Sequence, residues 1–249
     1  MEAHAARNSE MFRGELSPVY AMLKRPSLID YPGKLCRVLF ISGCNMHCLF
    51  CHNSDLTRPK DSFYDWPRLL EALTASREYW VDSVCISGGE PTLHPKIQEL
   101  IQRIKEYGFH VKLDTNGTRP KVLKELLPLL DYVAMDYKAP LARYGEISGC
   151  PALDIGSIPE SAGLIAGSGC EYEFRTTVVQ GFHGEADILA ICRELSEAGA
   201  RRYALQAFVP PPDADPESGM PTSRTPMKTL EKYHQICRQF FEDAIVRGA

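Results

Sequence analysis

The chain has 249 residues, 44% of them hydrophobic, which is enough for one large domain with a sizeable core. Its 28 basic and 32 acidic residues are interspersed and leave a net charge of -4, so no broad basic face invites nucleic acid or an anionic membrane. No apolar run approaches the length of a membrane span, and residues 1–15 have neither the basic start nor the apolar stretch of a secretion signal, so a cytoplasmic protein is expected.

Residues 1–17 read as a flexible N-terminal extension and 18–249 as a single domain. Apolar runs of strand length then recur at Cys36–Ser42, Val81–Ser87, His110–Asp114, Tyr132–Asp136, Glu171–Val179 and Arg202–Phe208. Between them, Pro95–Tyr107 sets Ile97, Leu100, Ile101 and Ile104 on one helical face, and Ala186–Ala198 does the same with Leu189, Cys192 and Leu195. Strands alternating with helices predict parallel pairing with helical crossovers. Six units are too few to close an eight-stranded barrel, so an open, curved parallel sheet with outer helices is expected. Residues 209–226 hold six prolines and read as a loop. A final helix is expected from Met227 to about Ala244, with Leu230, Tyr233, Cys237 and Phe241 turned inward.

Of nine cysteines, only Cys44, Cys48 and Cys51 are clustered, in a CxxxCxxC loop directly after the first strand. The odd count and scattered spacing of the rest argue against a disulfide framework. Cys36, Cys85, Cys170, Cys192 and Cys237 read as small hydrophobes in apolar segments, and Cys150 as a turn residue. Three thiolates in one loop make a metal site. Zinc would need a fourth ligand, for which His47 and His52 are at hand, whereas a 4Fe–4S cluster held by three cysteines keeps one iron open. After the second strand comes Ser87-Gly88-Gly89-Glu90-Pro91-Thr92, where a glycine pair allows close backbone approach to a ligand and Glu90 offers an acceptor beside it. Asp114-Thr115-Asn116-Gly117 follows the third strand and Asp136-Tyr137-Lys138 the fourth. All four segments fall at C-terminal strand ends, where parallel α/β folds collect ligands, so they are expected to converge.

CxxxCxxC with Phe50 before its last cysteine, followed by GGEP, resembles the radical S-adenosylmethionine (SAM) enzymes. Ser27 to Leu35 ahead of the loop, Cys51-His52-Asn53 after it and Met135-Asp136-Tyr137-Lys138 later make the chain similar to the activating proteins of glycyl radical enzymes, closest to those of anaerobic ribonucleoside-triphosphate reductase. The resemblance implies a partial (β/α)6 barrel, a 4Fe–4S cluster on Cys44, Cys48 and Cys51, and SAM as cofactor. It implies a cofactor-binding set of Phe50, His52, Gly88, Gly89, Glu90, Asp114, Lys138 and Arg175, with a monovalent cation near Asp114. Plainer readings stand beside it. Asp114 suits an Asx-turn cap, and Asp136 with Lys138 a structural ion pair. Arg175 lies in an apolar strand and needs a partner, while Gln206 stands where pyruvate formate-lyase activators carry a histidine.

The implied activity is generation of a glycyl radical on a partner enzyme, with a flavodoxin or ferredoxin as electron donor and neither nucleic acid nor membrane as partner. The alternatives are activation of another glycyl radical enzyme such as pyruvate formate-lyase, a small-molecule enzyme resembling the 7-carboxy-7-deazaguanine synthases, and a non-catalytic iron–sulfur or zinc protein.

Overall fold

The computed structural model describes residues 15–211 and 220–248. The expected N-terminal extension through residue 14, and residues 212–219 of the proline-rich loop, lie outside the described residues. The fold is α/β with mostly parallel strands, and the chain divides into two compact units.

The first unit comprises the chain up to Cys44 together with Asp55–Asp114 and Leu129–Tyr132. Its first strand, β1, is only Ala21–Met22 and pairs antiparallel with β2, Cys36–Ile41. Two residues are too few to leave a period-2 signal, so β1 escapes a reading by alternation. Helix α1, Trp66–Ala75, is started by Asp65, whose carboxylate accepts the Arg68 N–H at 2.8 Å, with proline in the first turn where its missing donor is not needed. Strand β3, Ser83–Gly88, runs parallel to β2 in a register that sets Ile41 opposite Gly88. It begins two residues later than expected because Trp80 turns the chain in a left-handed conformation, φ 63°. Helix α2, Ile97–Glu106, buries the expected stripe of Ile97, Leu100, Ile101 and Ile104. Strand β4, His110–Thr115, then pairs parallel with β3 from Ser83 opposite His110 to Ile86 opposite Leu113.

The second unit comprises Asn45–Ser54, Thr115–Pro128 and the chain from Val133. It contains helix α3, Pro120–Leu126, most of strand β5, Tyr132–Asp136, the short helix α4, Tyr144–Ile147, and helix α5, Ser157–Ala166. Strand β6, Glu171–Val178, helix α6, Glu185–Glu197, strand β7, Arg202–Ala207, helix α7, Met227–Cys237, and strand β8, Asp243–Arg247, follow. β6, β7 and β8 are parallel neighbours. A fully buried Glu173 on β6 forms a two-armed ion pair with Arg247 on β8.

Two expectations are corrected here. The last helix ends at Cys237, not near Ala244, and Asp243–Arg247 is a strand. Phe241 is buried four residues after Cys237, so it mimics one more helical turn in the sequence, but Ile245 and Val246 are β-branched and find an open edge on β7. On α6 the buried face is Ile188, Ile191, Cys192 and Leu195, and Leu189 is only half-buried.

None of the nine cysteines forms a disulfide, and Cys36, Cys85, Cys192 and Cys237 are buried. Among the described residues no helix is long and apolar enough to cross a membrane.

Candidate active site

In the first unit the site is built from backbone. Past the end of β2, the Gly43 N–H donates to the Leu56 carbonyl at 2.8 Å and the Cys44 N–H to the Thr57 carbonyl at 2.9 Å, which pins the start of the cysteine loop. The glycine pair at the end of β3 lies directly on the chain ahead of that loop. Gly89 N–H donates to the Ile41 carbonyl at 2.9 Å, and Glu90 N–H to the Gly43 carbonyl at 2.8 Å. A Cβ on Gly88 would stand 2.1 Å from the Ile41 oxygen, and Gly88 has φ 126°; a Cβ on Gly89 would stand 2.2 Å from the Gly43 oxygen. Only glycine permits both approaches.

Glu90 is 1% exposed, so it is no solvated turn carboxylate. Its Oε1 accepts the Thr92 N–H at 3.1 Å and the Thr92 hydroxyl, capping the turn Pro91–Leu93 and fixing the carboxylate next to the glycine pair.

Asp114 is engaged at both oxygens. Ser87 Oγ donates to its Oδ2 at 3.0 Å, and the ammonium of Lys112 binds its Oδ1. Lys112 is 1% exposed, with Cys85 Sγ 3.7 Å from its Nζ. A buried ammonium thus meets the charge of Asp114, the positive charge that the resemblance attributed to a monovalent cation. The two residues after Asp114 cap the turn that follows it. Thr115 Oγ1 accepts the Gly117 N–H at 3.1 Å, and Asn116 Oδ1 accepts the Thr118 N–H at 3.0 Å.

In the second unit the rest of the cysteine loop is held by side chains and by a second loop. Asn45 donates to Thr118 Oγ1 at 2.9 Å and accepts from Asn116 Nδ2 at 3.0 Å. The His47 N–H donates to the Ser148 carbonyl at 2.9 Å, with Cys48 Sγ 3.6 Å from the same oxygen. Gly149, at φ 65°, lets this contact form, since a Cβ there would stand 2.3 Å from the His47 oxygen. Burial pushes the Cys48 thiol up, and the Lys138 ammonium pulls it back toward thiolate. Phe50 is buried with its edge to Phe182 and His183, while His52 is exposed and meets Phe208 edge-on, 5.5 Å between ring centroids. His47 is exposed.

Asp136 at the end of β5 gathers two cations. Arg175 on β6 reaches its Oδ1 through Nε at 2.9 Å and Nη2 at 2.8 Å, and Lys138 Nζ lies 3.3 Å from Oδ2. Burial alone would raise the Asp136 carboxyl, but Arg175 and then Lys138 outweigh it and hold the group at about 2. Asp136 in turn outweighs the burial of Lys138 and keeps that ammonium charged. Arg175 therefore has its partner within the protein. Gln206, half-buried on β7, is level with Thr177 and Arg247.

Sequence reasoning missed Lys112, Ser148, Gly149 and His183. Lys112 carried a signal, a charge between Val111 and Leu113 in an apolar strand. The other three act through contacts distant in the chain and carried none. Among the described residues no three His, Cys, Asp or Glu side chains are gathered as a metal-holding group, so the assignment of Cys44, Cys48 and Cys51 rests on the chemistry of their spacing. The chemistry of each segment fits such a group: three cysteines lie within eight residues, the Lys138 charge favours thiolate at Cys48 in the second unit, and in the first unit Gly89 and the buried Glu90 bond to the backbone ahead of Cys44.

The sequence profile of the Radical SAM superfamily matches residues 38–187. Over 231 residues the chain is 33% identical to a Methanocaldococcus jannaschii protein provisionally named a glycyl-radical enzyme activating enzyme, a match covering 89% of this chain and 92% of that one. It is 31% identical over 135 residues to the pyruvate formate-lyase-activating enzyme of Clostridium pasteurianum, covering 51% and 54% of the two chains. Among solved structures, a radical SAM methyltransferase from Sphaerobacter thermophilus shares the fold, with a TM-score of 0.65 over 87% of this chain and 67% of that chain at 19% identity. With the superfamily profile spanning more than half of its length, this chain belongs to the radical SAM superfamily, whose enzymes work with a 4Fe–4S cluster and SAM.

Proposed function

We propose that the chain is an activase that installs a glycyl radical on a partner enzyme, and that the partner is an anaerobic ribonucleoside-triphosphate reductase. The observation that carries the first part is the match to an activating-enzyme relative over 92% of that relative's length. The second part rests on the motif set from Ser27 to Lys138, and a flavodoxin or ferredoxin is the electron donor in this reading.

When bound, cluster and SAM would supply one chemistry, the one-electron reductive cleavage of the sulfonium carbon–sulfur bond that enables hydrogen-atom abstraction from a glycine Cα, with methionine and 5'-deoxyadenosine as the products. Cys44, Cys48 and Cys51 are the cluster ligands, and Lys138 favours the thiolate at Cys48. The backbone of Gly88 and Gly89 and the carboxylate of Glu90 receive the methionine ammonium. Lys138 contacts the methionine carboxylate, with Asp136 and Arg175 holding its ammonium in position. Phe50 and His52 border the adenosyl moiety, and Asp114, neutralised by Lys112, adds a fixed polar group next to Ser87.

The test is low-temperature electron paramagnetic resonance of the anaerobically reconstituted, reduced protein with SAM and an anaerobic ribonucleotide reductase. A glycyl radical doublet on the reductase is expected. SAM cleavage without a doublet on the reductase, but with one on pyruvate formate-lyase, would overturn the partner assignment. Cleavage with no doublet on either protein would overturn the activase reading.

A further inference from the structure

We propose that His183 is a positioning residue for the cofactor site, a strut that fixes the main chain of Lys138 and the ring of Phe50 relative to one another. The inference rests on the reading of Lys138 as a SAM contact and assigns the residue that makes that contact reproducible.

His183 lies in the turn after β6 and is 4% exposed. Its Nδ1 accepts the Val179 N–H at 3.0 Å, so that nitrogen carries no proton. The ring proton therefore sits on Nε2, which donates to the Lys138 carbonyl 2.8 Å away. Its own main chain is held at both ends: the His183 N–H donates to the Val179 carbonyl at 3.0 Å, and Tyr233 Oη donates to the His183 carbonyl at 3.0 Å. The ring meets Phe50 edge-on, 6.1 Å between centroids at 71°.

Lys138 lies past the end of β5, where ladder bonds no longer define the chain. Side chains take over. Tyr144 Oη accepts the Lys138 N–H at 3.3 Å and donates to the Asp136 carbonyl at 3.2 Å, while His183 holds the Lys138 carbonyl. Both main-chain groups of Lys138 are thus fixed by distant residues, and its flexible stem starts from a defined Cα. Phe50, one residue before Cys51, rests on the same imidazole. One side chain therefore links the cysteine loop to the residue proposed to hold the SAM carboxylate. A ring of the same shape without nitrogens would keep the Phe50 contact and leave two buried main-chain groups unmet.

The experiment compares His183→Phe, His183→Gln and Lys138→Met in the reconstituted protein. SAM dissociation constants, KM and kcat are measured, with amide hydrogen exchange on the cluster-free proteins. His183→Phe is expected to raise the SAM dissociation constant and KM about tenfold, leave kcat within about threefold, and speed exchange of the Lys138 and Leu141 amides about tenfold. His183→Gln, which still offers an N–H toward the Lys138 carbonyl, is expected to recover most of both. If His183→Phe binds SAM within about twofold of the parent while Lys138→Met does not, the strut is overturned and the reading of Lys138 survives. If Lys138→Met also binds normally, that reading has failed and the strut with it. Should His183→Phe lack a cooperative melt, His183→Gln decides: parental affinity and exchange support the strut, and weakened binding with parental exchange overturns it.

Discussion

The glycine cradle of the first unit and the charged cluster of the second reach fixed geometry by opposite means. At the glycine pair there is no side chain: the Gly89 and Glu90 amides bond to the Ile41 and Gly43 carbonyls, and the approach is so close that a single methyl group on either glycine would collide with them. At Asp136 everything is side chain, with Arg175 and Lys138 converging on one carboxylate. The glycine pair is therefore sensitive to volume, whereas the cluster tolerates shape changes but depends on charge.

The largest effect is expected in the cysteine loop, whose chain passes from the first unit to the second after Cys44. Cys44→Ala, Cys48→Ala and Cys51→Ala should each lower SAM cleavage by at least about 10³-fold, whereas Cys85→Ala and Cys237→Ala should stay within about threefold of the parent. Methionine and 5'-deoxyadenosine release measures this, and an active Cys48→Ala protein would break the cofactor assignment for both regions at once.

Next in size is the cradle. Gly88→Ala adds a Cβ 2.1 Å from a backbone oxygen at a left-handed φ, and it should cost about 3 kcal/mol or more of folding stability in urea titrations. A loss below about 1 kcal/mol would mean that the cradle yields, and the contrast with the charged cluster would disappear.

Asp136→Asn should cost less, about 1–2 kcal/mol, because the Asp136 side chain is 35% exposed and water screens part of what Arg175 and Lys138 contribute. The sign with pH follows from its depressed value. A carboxyl held at about 2 in the folded protein, against about 3.9 unfolded, contributes fully above about pH 4 and loses its contribution as pH falls through about 2. Acid titration of the parent should show this slope, Asp136→Asn should flatten it, and Gly88→Ala should leave it unchanged. An equal slope in parent and Asp136→Asn would put the acid sensitivity elsewhere.

The smallest effect concerns Asp114. With the Lys112 ammonium already on Oδ1, exchanging potassium for tetramethylammonium should change SAM affinity by less than about twofold. In Lys112→Met the same exchange should matter more. Strong cation dependence in the parent would show that Lys112 does not satisfy the carboxylate.

Much of this architecture was legible beforehand. The six long strands appear within two residues of the expected bounds, and β5 at the expected Tyr132–Asp136, because buried strands write their apolar runs directly into the chain. The helical stripe of α2 was legible for the same reason, as was the glycine pair, whose backbone role no other residue can fill. The C-terminal strand was not, because Phe241 continued a helical stripe by coincidence and only the edge of β7 shows what Asp243–Arg247 pairs with. The partner of Arg175 could be demanded but not named, since Asp136 is 39 residues away.

By itself, then, the sequence determined the strands from β2 to β7, the spacing of the three cysteines and the place of the glycine pair, because alternation, glycine freedom and cysteine spacing are properties of neighbouring residues. Tertiary structure alone decided that Arg175 joins Lys138 on Asp136, that Ser148 and Gly149 back the loop at His47, and that His183 holds Lys138. The physical reason is that a buried charge or carbonyl must find a partner, while sequence periodicity carries no information about which distant residue the fold will bring to it.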